Sequence, residues 1–279
     1  MFKVLTKKET SPGVFFMDID APRIAKKAQA GQFIVLRVDE KGERIPLTIA
    51  DFDREKGTIL LVFQVIGAST MELSALNVGD SILDFVGPLG TPSEIKKFGT
   101  VVVVGGGIGV APTFPVARAM KEAGNKVIAI MGARSKDILV MEDEMRSVAD
   151  EVIVTTDDGS YGIKGFVTNG IETLVKRGEH IDQITAIGPV IMMKSVVDFT
   201  RPLNIKTVVS LNPVMVDGTG MCGGCRVMVD DKMRFACVDG PEFDGHKVDF
   251  KDLMLRQKTY RAEESVEKDH ICHIGLGRD

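Results

Sequence analysis

Residues 100–112 read Thr-Val-Val-Val-Val-Gly-Gly-Gly-Ile-Gly-Val-Ala-Pro (TVVVVGGGIGVAP), and this stretch decides the fold. Its first five residues are all β-branched and carry no polar alternation. A strand with one wet face alternates, so a continuous run of this kind predicts a strand buried on both faces. The run ends in Gly105-Gly106-Gly107-Ile108-Gly109, where glycine permits positive φ and close approach of backbone to a ligand. Val110-Ala111-Pro112 then opens a helix, and a proline in the first turn fits because its missing N–H has no helical partner there. Strand, glycine turn and helix N-terminus together make an anion cradle for a dinucleotide diphosphate, with Gly107, Ile108, Gly109 and Pro112 as the candidate contacts. The spacing is G-x-G-x-x-P rather than G-x-G-x-x-G. No Gly-Lys-Ser/Thr follows, which argues against a P-loop nucleotide hydrolase.

Outward from this stretch, residues 98–211 alternate strand and helix. Strands are expected at 100–104, 127–131, 152–155, 184–187 and 206–210, and helices at 112–123, 140–149, 167–176 and 190–199. That alternation predicts a doubly wound parallel α/β sheet for a nucleotide-binding domain. With strand order 3-2-1-4-5, Gly188-Pro189 at the end of the fourth strand lies beside the Gly105–Gly109 turn, and both loops face one crevice. Gly132-Ala133-Arg134 ends the second strand, where a ribose or its phosphate would lie, and Arg134 with Lys136 leaves NAD against NADP open. Asp157-Asp158-Gly159-Ser160 ends the third strand and reads equally as a site loop or a solvated turn. Met192-Met193 reads as helix core, with Met192 the candidate for a ligand contact.

Residues 1–97 carry short β-rich runs at 14–19, 32–38, 45–49 and 58–65, separated by Pro12-Gly13 and by glycine-ended polar turns. This spacing predicts an antiparallel β-barrel or sandwich, of which the barrel is the expectation. One helix is expected, from Ser69 to about Leu76, opened by a Ser69-x-x-Glu72 capping box. Arg44-Ile45-Pro46-Leu47-Thr48 and Gly67-Ala68-Ser69-Thr70 offer a guanidinium fork and a helix N-terminus, two groups suited to a diphosphate, though a surface Arg and capping by Ser69 explain them equally well.

Residues 212–279 hold all four cysteines of the chain, and Cys222, Cys225 and Cys237 crowd together. The pattern is Asp217-x4-Cys222-x2-Cys225-x11-Cys237. Thiolates at C-x4-C-x2-C…C hold a plant-type [2Fe–2S] cluster, and here a carboxylate, a hard anionic donor that can ligate iron, stands first. A structural zinc on three Cys and one further ligand is the rival reading. A hairpin is expected over 226–236 and a charged, partly helical tail after 249. Cys272, between His270 and His273, reads as part of a solvated tail, and His180 and His246 read as surface residues.

The 279 residues carry a net charge of −4, which argues against a nucleic-acid surface. With 44% hydrophobic and 27% charged residues the chain is an ordinary globular mixture. No apolar run is long enough for a signal peptide or a membrane span, so a soluble cytoplasmic protein is expected.

RIPLTI (44–49), GGGIGVAPT (105–113), GARSKDILVMEDEM (132–145), TTDDGSYGIKGFVT (155–168), GPVIMMKSV (188–196), and VDGTGMCGGCRV (216–227) with FACVDGPEFDGH (235–246) resemble the ferredoxin-NADP-reductase superfamily. Within it the chain is similar to dihydroorotate dehydrogenase electron-transfer subunits. It is more similar to the small subunits of NADH-dependent reduced ferredoxin:NADP oxidoreductases, from which the dihydroorotate type differs by a Cys at the place of Asp217. The resemblance implies FAD on Arg44, Pro46, Leu47, Thr48, Gly67, Ser69 and Thr70. It implies NAD(H) on Gly107, Ile108, Gly109, Pro112, Arg134, Asp157, Gly188 and Met192, and a [2Fe–2S] cluster on Asp217, Cys222, Cys225 and Cys237. It also implies an electron-transfer oxidoreductase that forms a heterodimer with a larger flavo-iron–sulfur subunit. NADP(H) and ferredoxin would be reached through that partner, in flavin-based electron bifurcation. A dihydroorotate-oxidising partner, and a non-enzymatic nucleotide module with structural zinc, are the alternatives. The flavin motif departs from the superfamily's Arg-x-Tyr/Phe-Ser: Ile45 stands two before Leu47, Arg44 lies one place earlier, and Leu47 has no ring to stack on a flavin.

Overall fold

The computed structural model describes residues 1–273, with side chains to residue 269. Alternating patterns dominate the N-terminal segment, and its strands bury one side accordingly. Its elements are β1 (Phe2–Ser11), β2 (Val14–Asp20), α1 (Pro22–Ala25), β3 (Phe33–Arg37), β4 (Ile45–Thr48), β5 (Asp51–Asp53), β6 (Thr58–Gln64), α2 (Ala68–Ala75), β7 (Ser81–Ile82) and β8 (Asp84–Leu89). They form a five-stranded antiparallel sheet, β5-β6-β2-β1-β7, and a three-stranded one, β4-β3-β8. Both sheets wrap one core in which Met17, Ile19, Leu61 and Phe63 meet Ile34, Leu36 and Leu73.

Two expectations for this segment are corrected. A second short helix, α1, opens on Pro22, which is favoured at a first helical position. Helix α2 starts at Ala68, so Ser69 lies inside it and Ser69-x-x-Glu72 is not its cap. Instead the hydroxyl of Thr70 reaches back and accepts hydrogen bonds from the backbone N–H groups of Ile66 and Gly67 at 3.0 and 3.1 Å. Two donors at the helix entrance are thereby satisfied.

The middle segment follows the expected alternation: β9 (Thr100–Gly106), α3 (Val110–Glu122), β10 (Lys126–Ala133), α4 (Glu142–Val148), β11 (Glu151–Thr156), β12 (Ile163–Lys164), α5 (Val167–Lys176), β13 (Gln183–Ile187), α6 (Val190–Thr200) and β14 (Thr207–Ser210). The sheet order β12-β11-β10-β9-β13-β14 contains the expected 3-2-1-4-5. Residues Val101 to Val104 are fully buried, as a strand covered by helices on both faces must be. Helix α4 begins two residues later than expected, because Met141 takes the left-handed conformation (φ 57°) and lies in the core beside Met145.

The C-terminal segment holds the hairpin β15 (Arg226–Val229) and β16 (Lys232–Phe235), then β17 (Glu242–Asp244), α7 (Phe250–Arg256) and α8 (Arg261–His273). Strand β17 joins the edge of the middle sheet, antiparallel to β14. The side chains of His270, Cys272 and His273 lie outside the described residues, so the reading of a solvated tail there is not addressed. His246 corrects the surface reading: it is half-buried, with Nε2 3.1 Å from Thr200 Oγ1, and burial lowers its pKa. His180 is exposed beside Asp182.

The three segments meet at Glu242. Its carboxyl group is enclosed against Gly31 of the barrel and accepts a hydrogen bond from Ser93 Oγ at 2.6 Å. Burial raises this carboxyl above its ordinary value of 4.5, and the Ser93 bond opposes the rise. A carboxyl raised on folding stabilises fully below its unfolded value, and that contribution is lost as pH rises through the folded value. Glu242→Gln keeps an acceptor for Ser93 and removes the titration. Its Tm is expected to gain on that of the wild-type chain as pH is raised from about 5 to about 8, as measured by thermal melts at each pH.

Candidate functional site

Four loops gather at the carboxyl ends of the central strands, and glycine sets their distances. Gly107 takes φ +56° with open space where a side chain would stand, and a short 3-10 turn (Gly107–Gly109) leads into α3. A Cβ on Gly109 would collide with the Ile187 carbonyl and lie 2.7 Å from Gly188 Cα. The loops after β9 and β13 therefore touch, as the strand order requires. The methionine pair divides between two roles: Met193 is fully buried in the core, whereas Met192 packs its sulfur against Gly106 and its methyl toward Gly188, on the crevice wall. Ile108 and Pro112 are half-exposed at the mouth.

Arg134 and Asp157 are exposed at the ends of β10 and β11. Their loops are tied together: Asp157 N donates to Ala133 O at 3.1 Å, Asp158 N to Arg134 O at 3.2 Å, and Lys136 N to Ser160 Oγ at 2.9 Å. Lys136 also covers the Tyr161 ring at 5.1 Å. Residues 157–160 are all exposed, and these hydrogen bonds fix the shape of their turn.

Strand β4 carries Ile45 to Thr48, all half-buried, and Arg44 is exposed just before it. It pairs with β3 in the register Phe33↔Thr48, Ile34↔Leu47, Val35↔Pro46. Strand β4 also contacts β6, whose exit loop opens α2 at Gly67. A Cβ on Gly67 would meet nothing within 4 Å, so the α2 entrance is open. Ser69 is half-buried at this entrance, and Thr70 is engaged in capping it.

In the cysteine loop, Gly218, Gly220 and Gly223 take φ of +73°, +84° and +67°, a winding that only glycine adopts freely. Asp217 accepts from Thr219 N at 2.8 Å and from Cys222 N at 2.9 Å. These backbone bonds, Thr219 first, hold its carboxyl below the usual range. Cys222 is exposed, whereas Cys225 and Cys237 are buried with their sulfurs 3.1 Å apart. That is too far for a disulfide, about 2.05 Å, and somewhat short of the ~3.7 Å between two thiolates on one tetrahedral metal. Burial, reinforced by the Cys225 thiol, pushes Cys237 up to about 12, so a metal must displace its proton to bind. Among the described residues no three His, Cys, Asp or Glu side chains gather as a single-ion cage. Asp217 is tied to Cys222 through the backbone N–H of the cysteine, and Cys225 and Cys237 adjoin through their sulfurs. Three thiols and a carboxylate are a donor set that suits an anionic binuclear iron–sulfur group.

The cluster loop rests on the barrel, which the sequence did not announce. A Cβ on Gly218 would lie 2.9 Å from both Val35 Cγ2 and Leu89 Cδ1. Phe33 and Val35 share a small core with Met215, Cys225 and Cys237. Val35 is the register partner of Pro46, so the cysteine loop and the β4 motif flank the same strand.

Residues 103–198 match the oxidoreductase NAD-binding domain family, and residues 212–249 match the iron–sulfur cluster binding domain of dihydroorotate dehydrogenase B. The chain is 49% identical over 269 residues to the dihydroorotate dehydrogenase B (NAD(+)) electron transfer subunit homolog of Thermotoga maritima, covering 96% of this chain and 95% of that protein. It is 34% identical over 249 residues to the electron transfer subunit of Streptococcus pneumoniae, covering 86% of this chain and 97% of that one. The chain belongs to the dihydroorotate dehydrogenase B electron transfer subunit family. A solved structure, that of an NADH-dependent reduced ferredoxin-NADP oxidoreductase described in terms of flavin-based electron bifurcation, superimposes with a TM-score of 0.93 at 47% identity, covering 98% of each chain. Family membership makes the chain an oxidoreductase subunit of ferredoxin-NADP-reductase type, with an NAD-binding and an iron–sulfur segment. Among the described residues no helix is long and apolar enough to cross a membrane.

Gly109→Ala sets a methyl group against backbone of the neighbouring loop, where nothing flexible can yield. NADH affinity is expected to fall on the order of tenfold to a hundredfold, while iron and flavin content stay at wild-type levels. Titration of NADH against the purified variant checks this.

Proposed function

We propose that this chain is the NAD-facing arm of a larger oxidoreductase, exchanging hydride with NAD(H) at FAD and single electrons with a partner subunit through a [2Fe–2S] cluster. The observation that supports it best is the placement of three sites around two elements. The nucleotide turn opens α3, and the β4 motif and the cysteine loop lie on either side of β3. When bound, FAD supplies the exchange between two-electron and one-electron chemistry, and the cluster supplies a one-electron carrier.

The residues divide the work as follows. Gly107, Ile108, Gly109 and Pro112 present backbone and the α3 N-terminus to the dinucleotide diphosphate. Gly188 lets the nicotinamide end come close, Met192 walls it, and Arg134 and Asp157 hold the far ribose. Arg44 offers an exposed fork to the FAD diphosphate, shared with the α2 entrance at Gly67, Ser69 and Thr70, while Pro46, Leu47 and Thr48 flank the ring. Asp217, Cys222, Cys225 and Cys237 ligate the irons. No general acid or base is required, because the protein contributes position and field. On this reading residues 1–97, 98–211 and 212–279 are the FAD, NAD and cluster domains, and the chain works in the cytoplasm, where thiols stay reduced.

The partner in this reading is a larger flavo-iron–sulfur subunit that handles NADP(H) and ferredoxin, as the 47%-identical structural relative supports. A dihydroorotate-oxidising partner is the second reading, supported by the family's other members at 34% identity. Asp217 in place of Cys favours the first, and the substrate oxidised by the co-purified complex decides between them.

The anaerobically purified chain is expected to hold about two irons and two acid-labile sulfides per FAD, with flavin absorbance bleached by NADH. Asp217→Ala should lose most of the iron and keep the flavin. Zinc without sulfide or flavin would overturn the redox reading.

A further inference from the structure

Beyond the four ligands, two cations donate to carbonyls of the cluster loop: Arg226, exposed, whose Nη1 donates to Gly223 O at 3.1 Å, and Arg256, which is half-buried. Arg256 stands in the last turn of α7. Asp249 caps the N-terminus of that helix, accepting from Lys251 N at 2.9 Å and Asp252 N at 3.0 Å. At the other end, Gln257 Nε2 donates to Asn212 O at 2.9 Å and Asn212 Oδ1 at 3.2 Å, strapping the helix to the start of the cysteine segment. Between these anchors Arg256 Nη2 donates to the carbonyl of Gly224 at 3.4 Å, in the loop between Cys222 and Cys225. Its Nε is buried with no hydrogen-bond partner. Among the described residues no carboxylate lies within ion-pair distance of the guanidinium.

A guanidinium stays charged in proteins, and Arg256 is half-buried with one loop carbonyl as acceptor, an enclosed Nε left unpaired and no carboxylate in ion-pair contact. An iron–sulfur group in the loop that it touches would be anionic. We propose that Arg256 is the counter-charge of the iron–sulfur cluster and raises its reduction potential. The inference rests on the [2Fe–2S] reading above.

The charge balance supplies the direction. Two ferric ions, two sulfides, three thiolates and one carboxylate sum formally to about −2, and uptake of one electron makes the cluster about −3. No proton or bond changes hands in that step. A fixed cation stabilises the more negative state more strongly, and enclosure of Nε limits screening by salt. Arg256 therefore favours the reduced cluster, and losing its charge lowers the potential. It acts as a positioning and tuning residue, since its contact is with the loop carbonyl.

The test is an anaerobic redox titration of the full chain, with the reduced cluster read by electron paramagnetic resonance, for wild type, Arg256→Gln and Arg256→Lys. At a fixed poise Arg256→Gln is expected to show a reduced-to-oxidised ratio about tenfold lower, which is ~59 mV for a one-electron couple. Arg256→Lys, which keeps the charge and loses the fork, should stay within about threefold of wild type. A purely structural role would change cluster loading or Tm and leave the potential of the loaded fraction where it was. An Arg256→Gln ratio within twofold of wild type, or an Arg256→Lys loss as large as that of Arg256→Gln, overturns the assignment. If Arg256→Gln fails to load a cluster, Arg256→Lys decides alone: a tenfold fall overturns the proposal and a ratio near wild type supports it. A wild-type chain without iron and labile sulfide would instead sink the cluster reading itself, before any variant is compared.

Discussion

The arrangement of this molecule depends on one strand being covered on both sides. Phe33, Ile34, Val35 and Leu36 of β3 are all buried, although β3 belongs to an antiparallel sheet that would ordinarily leave one face wet. Ile34 and Leu36 point into the barrel core, and Phe33 and Val35 point into the small core that holds Cys225 and Cys237. Side chains alternate along a strand, so one pentapeptide serves two cores at once. Neighbouring strands lie about 4.8 Å apart. The register Val35↔Pro46 thus keeps the cysteine loop close to the β4 motif without any special connection between them.

That double coverage also explains which parts of the fold were legible. The middle domain could be read from sequence because burial on both faces is written as unbroken runs such as 100–104, and because each turn carries its glycines. The FIVL run of β3 carries the same signature, but inside a segment of alternating strands it specifies burial and not by what. The α2 entrance was misread because Ser69-x-x-Glu72 satisfies a capping pattern, while the competing geometry, Gly67 with Thr70 reaching back, caps the helix two residues earlier. Strand β17 left little sequence signal, since three residues are too few to show a period. Of the candidate sites, the glycine loops and the cysteine spacing were legible because their chemistry is local. The division of Met192 from Met193, the inward turn of Arg256 and the partner of His246 depend on packing between distant segments.

The cysteine loop is asymmetric, and the asymmetry follows from where it sits. Asp217 and Cys222 lie on the outer side, with the carboxylate held by two N–H groups in a shape that costs it little further ordering. Cys225 and Cys237 lie against Phe33 and Val35, and burial there disfavours the Cys237 thiolate. One half of the ligand set, half-buried Asp217 and exposed Cys222, thus lies outward, and the other half is packed like core. These four residues would hold an iron–sulfur group, which would supply a one-electron carrier there.

Of the interactions that join the barrel to the nucleotide domain, two have magnitudes that assign them different tasks. Asp51 of β5 receives both guanidinium nitrogens of Arg118 on α3, at 2.5 and 3.1 Å, and the same guanidinium lies 5.6 Å from the Phe52 ring and 5.3 Å from that of Phe114. Its two side chains keep 30% and 29% of their surface exposed, and pairs with such exposure contribute about 0–1 kcal/mol. Beside it, Val14, Ala50 and Val62 of the barrel pack with Val110, Phe114 and Ala117 of α3 in one buried cluster. Each large apolar side chain buried there contributes about 1.5–3 kcal/mol, so the apolar contact holds the domains together. Apolar contact is non-directional and leaves rotation about the patch weakly specified. The bidentate fork, fixed in plane and angle, is what specifies it. Asp51 lies three residues beyond Thr48 in the β4 motif, and Arg118 lies two turns along the helix that opens on the nucleotide turn. A small interaction placed between those two points sets the angle at which the two candidate sites face each other, even though it adds little to the stability of the whole.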